Sequence, residues 1–256
     1  MPIRTSSGPF DWPAIRAYDG AHRARVAMPT GGIGTGTVAL GGRGDLRDWE
    51  IVNRPAKGFA PRPAFLALRT RDAAGHVVAR VLEGPLDDHV YEGPLGATAP
   101  THGLPRFRDA TFRAAYPFGR VDLHDADVPL RVSLGAWNPL VPGDVASSSL
   151  PMMAIEVALA NHTGTAVEAS VAFALRNFIG TNGETGAPQR NVNEARTSDL
   201  ADGTSLRGVA MRTDGLSPDH EAWGTLAIAT TAADVTVRTT WSGAGWGGPL
   251  LEFWDA

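Results

Sequence analysis

The 256-residue chain contains no cysteine. Disulfide bonds, zinc–thiolate sites, iron–sulfur clusters and cysteine nucleophiles are therefore excluded. Lysine is almost missing too, because Lys57 is the single lysine among 23 basic residues. We interpret this as a compositional preference for arginine. The net charge of −4 and the pI near 6.0 give no indication of binding to nucleic acid or anionic lipid.

Long apolar runs are also missing. No stretch reaches the roughly 18 apolar residues of a membrane-spanning helix. The opening residues carry Pro2, Pro9 and Asp11 and lack the apolar centre of a secretory signal peptide. We therefore expect a cytoplasmic protein with no membrane span. Amphipathic patterns with a period of 3.6 residues are scarce, which argues against a doubly wound α/β fold.

The chain has instead many short segments that alternate with a period of two. The 30 glycines and 19 prolines are spread between them as turn residues. Three pairs of segments predict hairpins: 64–70 with 76–82, 155–160 with 167–175, and 226–231 with 235–240. The stretches 83–105 and 180–203 lack this pattern and predict surface loops. The sequence thus predicts an all-β fold, a large antiparallel β-sandwich of two packed sheets with few or no helices.

The glycine-rich stretch 31–37 does not fit a nucleotide-binding loop. Thr37 stands where a dinucleotide fingerprint requires its third glycine and where a phosphate-binding loop requires lysine. Glycines also allow tight bends and close backbone contacts. We expect a structural role for this stretch.

The run that follows concentrates charge. On an extended strand Asp48 and Glu50 share one face, and Arg47 and Trp49 share the other. Paired carboxylates perform acid/base chemistry in glycosidases. Nearby Arg43 and Arg47 would keep these acids ionised, so we favour a structural network of ion pairs over a catalytic pair.

Metal and cofactor chemistry find little support in the sequence. His124, Asp125 and Asp127 resemble a metal cluster, but alternation places the histidine on the opposite face from the two aspartates. We interpret them as a polar strand end, and we expect no metal and no cofactor. The motifs H-E-x-x-H and G-x-S-x-G do not occur.

Two sets of motifs, in order along the chain, resemble the amino-terminal domain of glycoside hydrolase family 116, which includes bacterial β-glucosidases and non-lysosomal glucosylceramidases. The first set is Gly31-Gly32-Ile33-Gly34-Thr35-Gly36-Thr37, Gly42-Arg43-Gly44-Asp45-Leu46-Arg47-Asp48-Trp49-Glu50 and Asn53-Arg54-Pro55. The second is Tyr116-Pro117-Phe118, Val128-Pro129-Leu130, Trp137-Asn138-Pro139-Leu140-Val141-Pro142-Gly143-Asp144 and Ser149-Leu150-Pro151. Similarity continues in Trp223-Gly224-Thr225 and in residues 241–247.

The resemblance implies a two-domain, retaining glycosidase. Residues 1–27 would be an extension and 28–256 the β-sandwich domain, cut before an (α/α)6 helical catalytic domain that carries both catalytic carboxylates and binds the β-glucoside. No catalytic residue is then expected in this chain. Candidate contacts to the helical domain or to sugar are Arg43, Asp45, Arg47, Trp49, Trp241 and Trp246.

The interdomain surface is expected to include residues 31–44 and 243–248 together with Trp241, Trp246 and Trp254. Glycines permit close approach there, and tryptophans supply apolar area.

Two alternatives remain open. In the first, the chain is a free-standing carbohydrate-binding module that stacks sugar on Trp49, Trp137 or Trp246. In the second, it is a self-contained enzyme. The enzyme would use carboxylates among Asp48, Glu50, Glu184 and Glu194.

Overall fold

The computed structural model describes residues 15–51, 54–86, 104–182 and 185–241. Of these, 47% lie in strands and 3% in helices, and every sheet is antiparallel. The predicted all-β antiparallel fold is confirmed. The described strands are distributed over four sheets, more than the two we expected.

The chain forms two compact units, Met1–Ala174 and Leu175–Ala256. Three sheets belong to the first unit, except that Leu175, the last residue of one of their strands, lies in the second unit. Their strands are β1 (Arg16–Tyr18), β2 (Ala27–Thr30), β3 (Thr37–Gly41), β4 (Leu46–Glu50), β5 (Ala64–Asp72), β6 (Val77–Val81), β7 (Asp109–Ala115), β8 (Phe118–His124), β9 (Leu130–Trp137), β10 (Ala154–Asn161) and β11 (Val167–Leu175). The sheet orders are β1-β7-β8-β9-β10, β11-β5-β6 and β2-β3-β4.

The five-stranded sheet shows how alternation builds the core. Along β8, Val121 and Leu123 are buried while Phe118 and Arg120 are exposed. The same period places Val132, Leu134 and Ala136 of β9 inside. Because successive side chains of a strand point to opposite faces, one face of this sheet is buried and the other faces solvent.

The β5–β6 hairpin was predicted correctly. Its strands pair from Ala67 opposite Val81 to Arg71 opposite Val77, and the turn lies at residues 73–76. Five consecutive residues of β5, from Ala64 to Leu68, are buried. Both faces of this strand are therefore covered, which makes it the centre of the core.

The predicted hairpin of β10 with β11 is wrong. β10 pairs with β9, whereas β11 lies beside β5 in another sheet. The connection, residues 162–166, has a length that permits a hairpin but does not require one. Across this connection the chain passes from the five-stranded sheet to the sheet that contains β5.

The second unit contains one sheet, in the order β12-β13-β14. Its strands are β12 (Asn191–Asp199), β13 (Ser205–Thr213) and β14 (Leu226–Thr230). The prediction of a loop over residues 180–203 is thus wrong for β12. This strand has polar residues on both faces, so its sequence shows no alternation of apolar and polar residues. The predicted final hairpin is also wrong. β14 pairs with β13, and the carbonyl of Thr239 accepts a hydrogen bond from Asn193 Nδ2 at 2.8 Å.

Two smaller features complete the fold. A short 3₁₀ turn spans Gly20–His22, and one helical turn, α1, spans Val145–Ser148. No helix among the described residues is long and apolar enough to cross a membrane. The predicted surface loop 83–105 is wrong at its ends, where Glu83, Leu86 and Leu104 are buried. Its central part, residues 87–103, lies outside the described residues.

Candidate functional site

Arg43 is buried in the turn between β3 and β4, with 7% of its surface exposed. Its guanidinium binds the carboxylate of Glu83 and lies 3.3 Å from that of Asp45. Glu83 Oε2 is also 3.2 Å from Arg106 Nε. These four residues are the buried ion-pair cluster. Two positive and two negative charges offset one another there, as buried charges require.

Glycines bring the backbones around this cluster together. Gly44 has φ of +100°, and a Cβ at that position would lie 2.5 Å from the carbonyl oxygen of Leu82. The N–H of Gly84 donates to the carbonyl of Arg43 at 2.7 Å. The segment 42–44 therefore needs glycine for its conformation and its close contact.

Asp48 and Glu50 both bind the backbone of one loop. Asp48 Oδ1 accepts a hydrogen bond from the N–H of Gly58 at 2.7 Å. Glu50 Oε1 accepts from the N–H of Ala56 at 3.1 Å, and its Oε2 lies 2.7 Å from Lys57 Nζ. Both carboxylates are thus bound to the turn 56–58.

The predicted alternation of this strand is wrong at one place. A bulge interrupts the β3–β4 ladder, and Asp48 has a positive φ of 51°. Asp48 and Trp49 are consequently both buried, whereas strict alternation would place them on opposite faces. Aspartate is among the residues that tolerate this left-handed conformation.

The lowered pKa values of Glu50 and Glu194 do not favour acid catalysis. The hydrogen bond from Lys57, followed by that from the N–H of Ala56, lowers the pKa of Glu50. In the second unit, the hydrogen bonds from Arg196 and Arg212 lower the pKa of Glu194. A general acid needs a raised pKa, so neither group is prepared for that role. Glu184 lies outside the described residues.

The remaining predicted contact residues are found in different surroundings. Trp49 is 5% exposed, and its Nε1 donates to the carbonyl of Leu46 at 3.3 Å. Arg47 has 37% of its side chain exposed and borders a groove of about 680 Å³. Trp241 is partly buried in the second unit, and Trp246 and Trp254 lie outside the described residues.

The two aspartates considered as metal ligands, Asp125 and Asp127, form ion pairs with Arg80 and Arg108. Asp125, whose side chain is fully buried, lies 2.8 Å from Arg80 Nε and 3.4 Å from Arg108 Nε. Burial alone would raise the pKa of the Asp125 carboxyl. The hydrogen bond from Arg80, that from the N–H of Asp127 and the charges of Arg80 and Arg108 together lower it. His124 ends β8, as the strand-end interpretation requires.

The two resemblance segments meet at one place. The N–H of Ile33 donates to the carbonyl of Ser148 at 2.8 Å, and a Cβ on Gly32 would lie 2.2 Å from the carbonyl oxygen of Leu150. Ser148 Oγ in turn binds both the N–H and the carbonyl of Val141, each at 3.0 Å. The glycine-rich loop and the loop 138–153 are therefore packed against each other.

These two loops expose aliphatic side chains. We call this group the apolar rim, and its exposed fractions lie between 46% and 76%. The members are Ile33 (62%), Val141 (47%), Val145 (76%), Leu150 (47%) and Met152 (46%). Several exposed aliphatic side chains on two loops that pack together make this a candidate interaction site.

The fold and these contacts define the class of the protein. It is an antiparallel β domain in which the candidate carboxylates that the structure describes serve structural ion pairs and loop anchoring. The family model described as beta-glucosidase 2, glycosyl-hydrolase family 116 N-term, matches residues 27–256. The chain belongs to this family of amino-terminal domains. A comparison with curated proteins found no match.

The structure thus combines some of the predicted residues and separates others. Arg43 and Asp45 share the buried ion-pair cluster, while Arg47 lies at a groove. Sequence reasoning missed Glu83 and Arg106, which lie 40 and 63 positions from Arg43 along the chain. It also missed most of the apolar rim, although Val141 and Val145 flank an evident Pro-Gly turn at 142–143.

Proposed function

We propose that this chain is the non-catalytic β domain of a retaining β-glucosidase-type or glucosylceramidase-type glycoside hydrolase. It supports a separate helical catalytic domain, and that domain binds the β-glucoside. Residues 28–256 form the supporting domain, and the cytoplasm is its proposed location. Membership of the amino-terminal family supports the existence of a companion domain.

The apolar rim is the observation that carries this proposal. Fully burying one aliphatic side chain contributes about 1.5–3 kcal/mol. If docking buries about half of each of the five, the rim contributes roughly 4–7 kcal/mol, as an upper value. A surface of this strength suits a docking contact.

The carboxylates support the same proposal from another side. A retaining glycosidase needs a nucleophile and an acid on either side of the sugar, roughly 5–5.5 Å apart. Asp48 and Glu50 are already bound to backbone N–H groups and Lys57. Glu194 is bound to two arginines. We therefore assign Asp48, Glu50 and Glu194 structural roles, in which each carboxylate holds the groups that it already binds.

The experiment compares the binding of rim variants to the proposed helical domain, expressed separately. Replacing Ile33 and Leu150 together by serine should weaken association by about 10- to 100-fold, because roughly 1.5–3 kcal/mol of apolar burial is lost. The matched control is Val77→Ser, since Val77 is 47% exposed, as Leu150 is, but lies on β6, outside the rim. Equal affinity of the double variant and the wild type would refute docking through the rim.

A further inference from the structure

The solvent face of the five-stranded sheet carries an exposed pair of aromatic rings. Phe118 of β8 lies directly opposite Trp137 of β9, and the two residues are 58% and 36% exposed. Their cross-strand neighbours in the same row are Ala115 on β7 and Ala154 on β10. The cross-strand neighbours on either side of the two rings are therefore small side chains.

The next row of the same face is polar and has an opening at its centre. It reads Arg113, Arg120, Gly135 and Glu156 across β7, β8, β9 and β10. The opening is the missing side chain of Gly135, where a Cβ would be in ordinary van der Waals contact with Glu156 at 3.8 Å. Since alternate residues on a strand lie about 7 Å apart, this opening lies directly beside the aromatic pair.

The arginines of this row are fixed in place. Arg113 Nε and Arg120 Nε lie 2.8 Å and 2.7 Å from the two oxygens of Asp122. The described residues make no hydrogen bond to the terminal nitrogens of either guanidinium, so those donors are oriented and available for a ligand. Exposed Glu156 supplies acceptors on the other side of Gly135.

The four charged groups beside the aromatic pair favour a neutral ligand, and exposed Arg131 lies further along the same face. Arg113 and Arg120 are offset by Asp122 and Glu156, so the four groups carry no net charge. An anionic ligand such as a phosphate or a nucleic acid would instead require an excess of positive charge. Aromatic rings beside oriented hydrogen-bond donors and acceptors suit a molecule with apolar C–H faces and a rim of hydroxyl groups.

We propose that this face is a binding platform for a neutral glycan. One pyranose ring stacks on Phe118 and Trp137, and the next lies over Gly135, where its hydroxyl groups meet Arg120 and Glu156. The platform shares no residue with the apolar rim. The proposal goes beyond a supporting role, and it does not require a helical domain.

The test is calorimetric titration of the 256-residue chain with cellohexaose, a neutral β-linked glucan. Trp137→Ala should weaken binding by at least about tenfold, because the sugar loses an aromatic ring on which it stacks. A tenfold change in affinity corresponds to about 1.4 kcal/mol. Phe118→Ala should act in the same direction. The matched control is Trp223→Ala, which removes a tryptophan that is 42% exposed in the other unit and should leave affinity unchanged within twofold.

Three results would overturn the proposal. The first is a wild-type chain that binds neither cellohexaose nor a neutral mannan oligosaccharide at millimolar concentration. The second is a folded Trp137→Ala variant that binds as the wild type does. The third is a wild-type chain that binds no sugar, together with a Phe118 or Trp137 variant that no longer associates with the helical domain. That result would make the face a protein interface.

Discussion

Glu83→Gln is expected to destabilise the first unit strongly, because Glu83 holds two buried arginines. Its side chain is 5% exposed, and those of Arg43 and Arg106 are 9% exposed. The substitution keeps the size of the side chain but removes its charge, so two buried guanidinium groups lose the carboxylate that they share. Breaking a buried ion pair in this way costs about 3–5 kcal/mol.

The magnitude translates into a large change in melting temperature. For a domain of this size each kcal/mol corresponds to about 2–4 °C, so we expect Tm to fall by roughly 6–20 °C. The assay is thermal unfolding followed by circular dichroism, with the urea midpoint as a second readout. The control is Glu50→Gln, which removes an ion pair to largely exposed Lys57 and should cost at most about 1 kcal/mol. If both variants melt within a degree of each other, the buried ion-pair cluster is solvated and our reasoning about it is wrong.

Two further substitutions test other parts of the first unit. Asp125→Asn should lower the free energy of unfolding by about 2–3 kcal/mol at pH 7. Because the pKa of Asp125 is lowered in the folded state, its stabilisation is present above about pH 4 and is lost as the pH falls below it. Urea midpoints of variant and wild type should therefore converge in acid, and a constant difference down to pH 2 would contradict this. Gly44→Ala should cost more than about 2 kcal/mol, since its Cβ would clash with a backbone oxygen at a positive φ. Gly58→Ala, at φ of +80° with open space around it, should cost only about 1 kcal/mol, and equal costs would show that the close contact at Gly44 is unimportant.

The sequence was most informative where one face of a strand is apolar. Alternation along β9 places Leu130, Val132, Leu134 and Ala136 on one face; the last three are buried and Leu130 is half-buried. The hairpin of β5 with β6 was also evident, since a short turn with Gly75 connects two such strands. Local pattern is sufficient in these places because burial imposes the pattern directly.

The sequence pattern does not indicate in the same way which strands pair with each other. The strands β10 and β11 follow each other but belong to different sheets. Nothing in their own residues indicates this, because the choice is made by the sheets that they join. β12 was missed for a related reason. Its residues are polar on both faces, and its nine-residue ladder with β13 depends on backbone groups that every sequence has.

The buried ion-pair cluster shows the same limit for the candidate site. Arg43 was singled out because it stands among glycines and acids. Its partner Glu83 is 40 positions away and is the first residue of the stretch 83–105, which the sequence pattern predicts to be a surface loop. The bulge at Asp48 likewise depends on the neighbouring strand. Resemblance to the family supplied the domain class, whereas the residues that form the exposed surfaces emerged only from the fold.

The central claim is that this chain supports catalysis by another domain and performs none itself. The most direct measurement is the turnover of an aryl β-glucoside by the chain alone, by the proposed helical domain alone and by an equimolar mixture. We expect no turnover by the chain and a longer half-life of activity in the mixture than in the helical domain alone. Turnover by the purified chain, abolished by Glu50→Gln, would contradict the account and establish the chain as an enzyme in its own right.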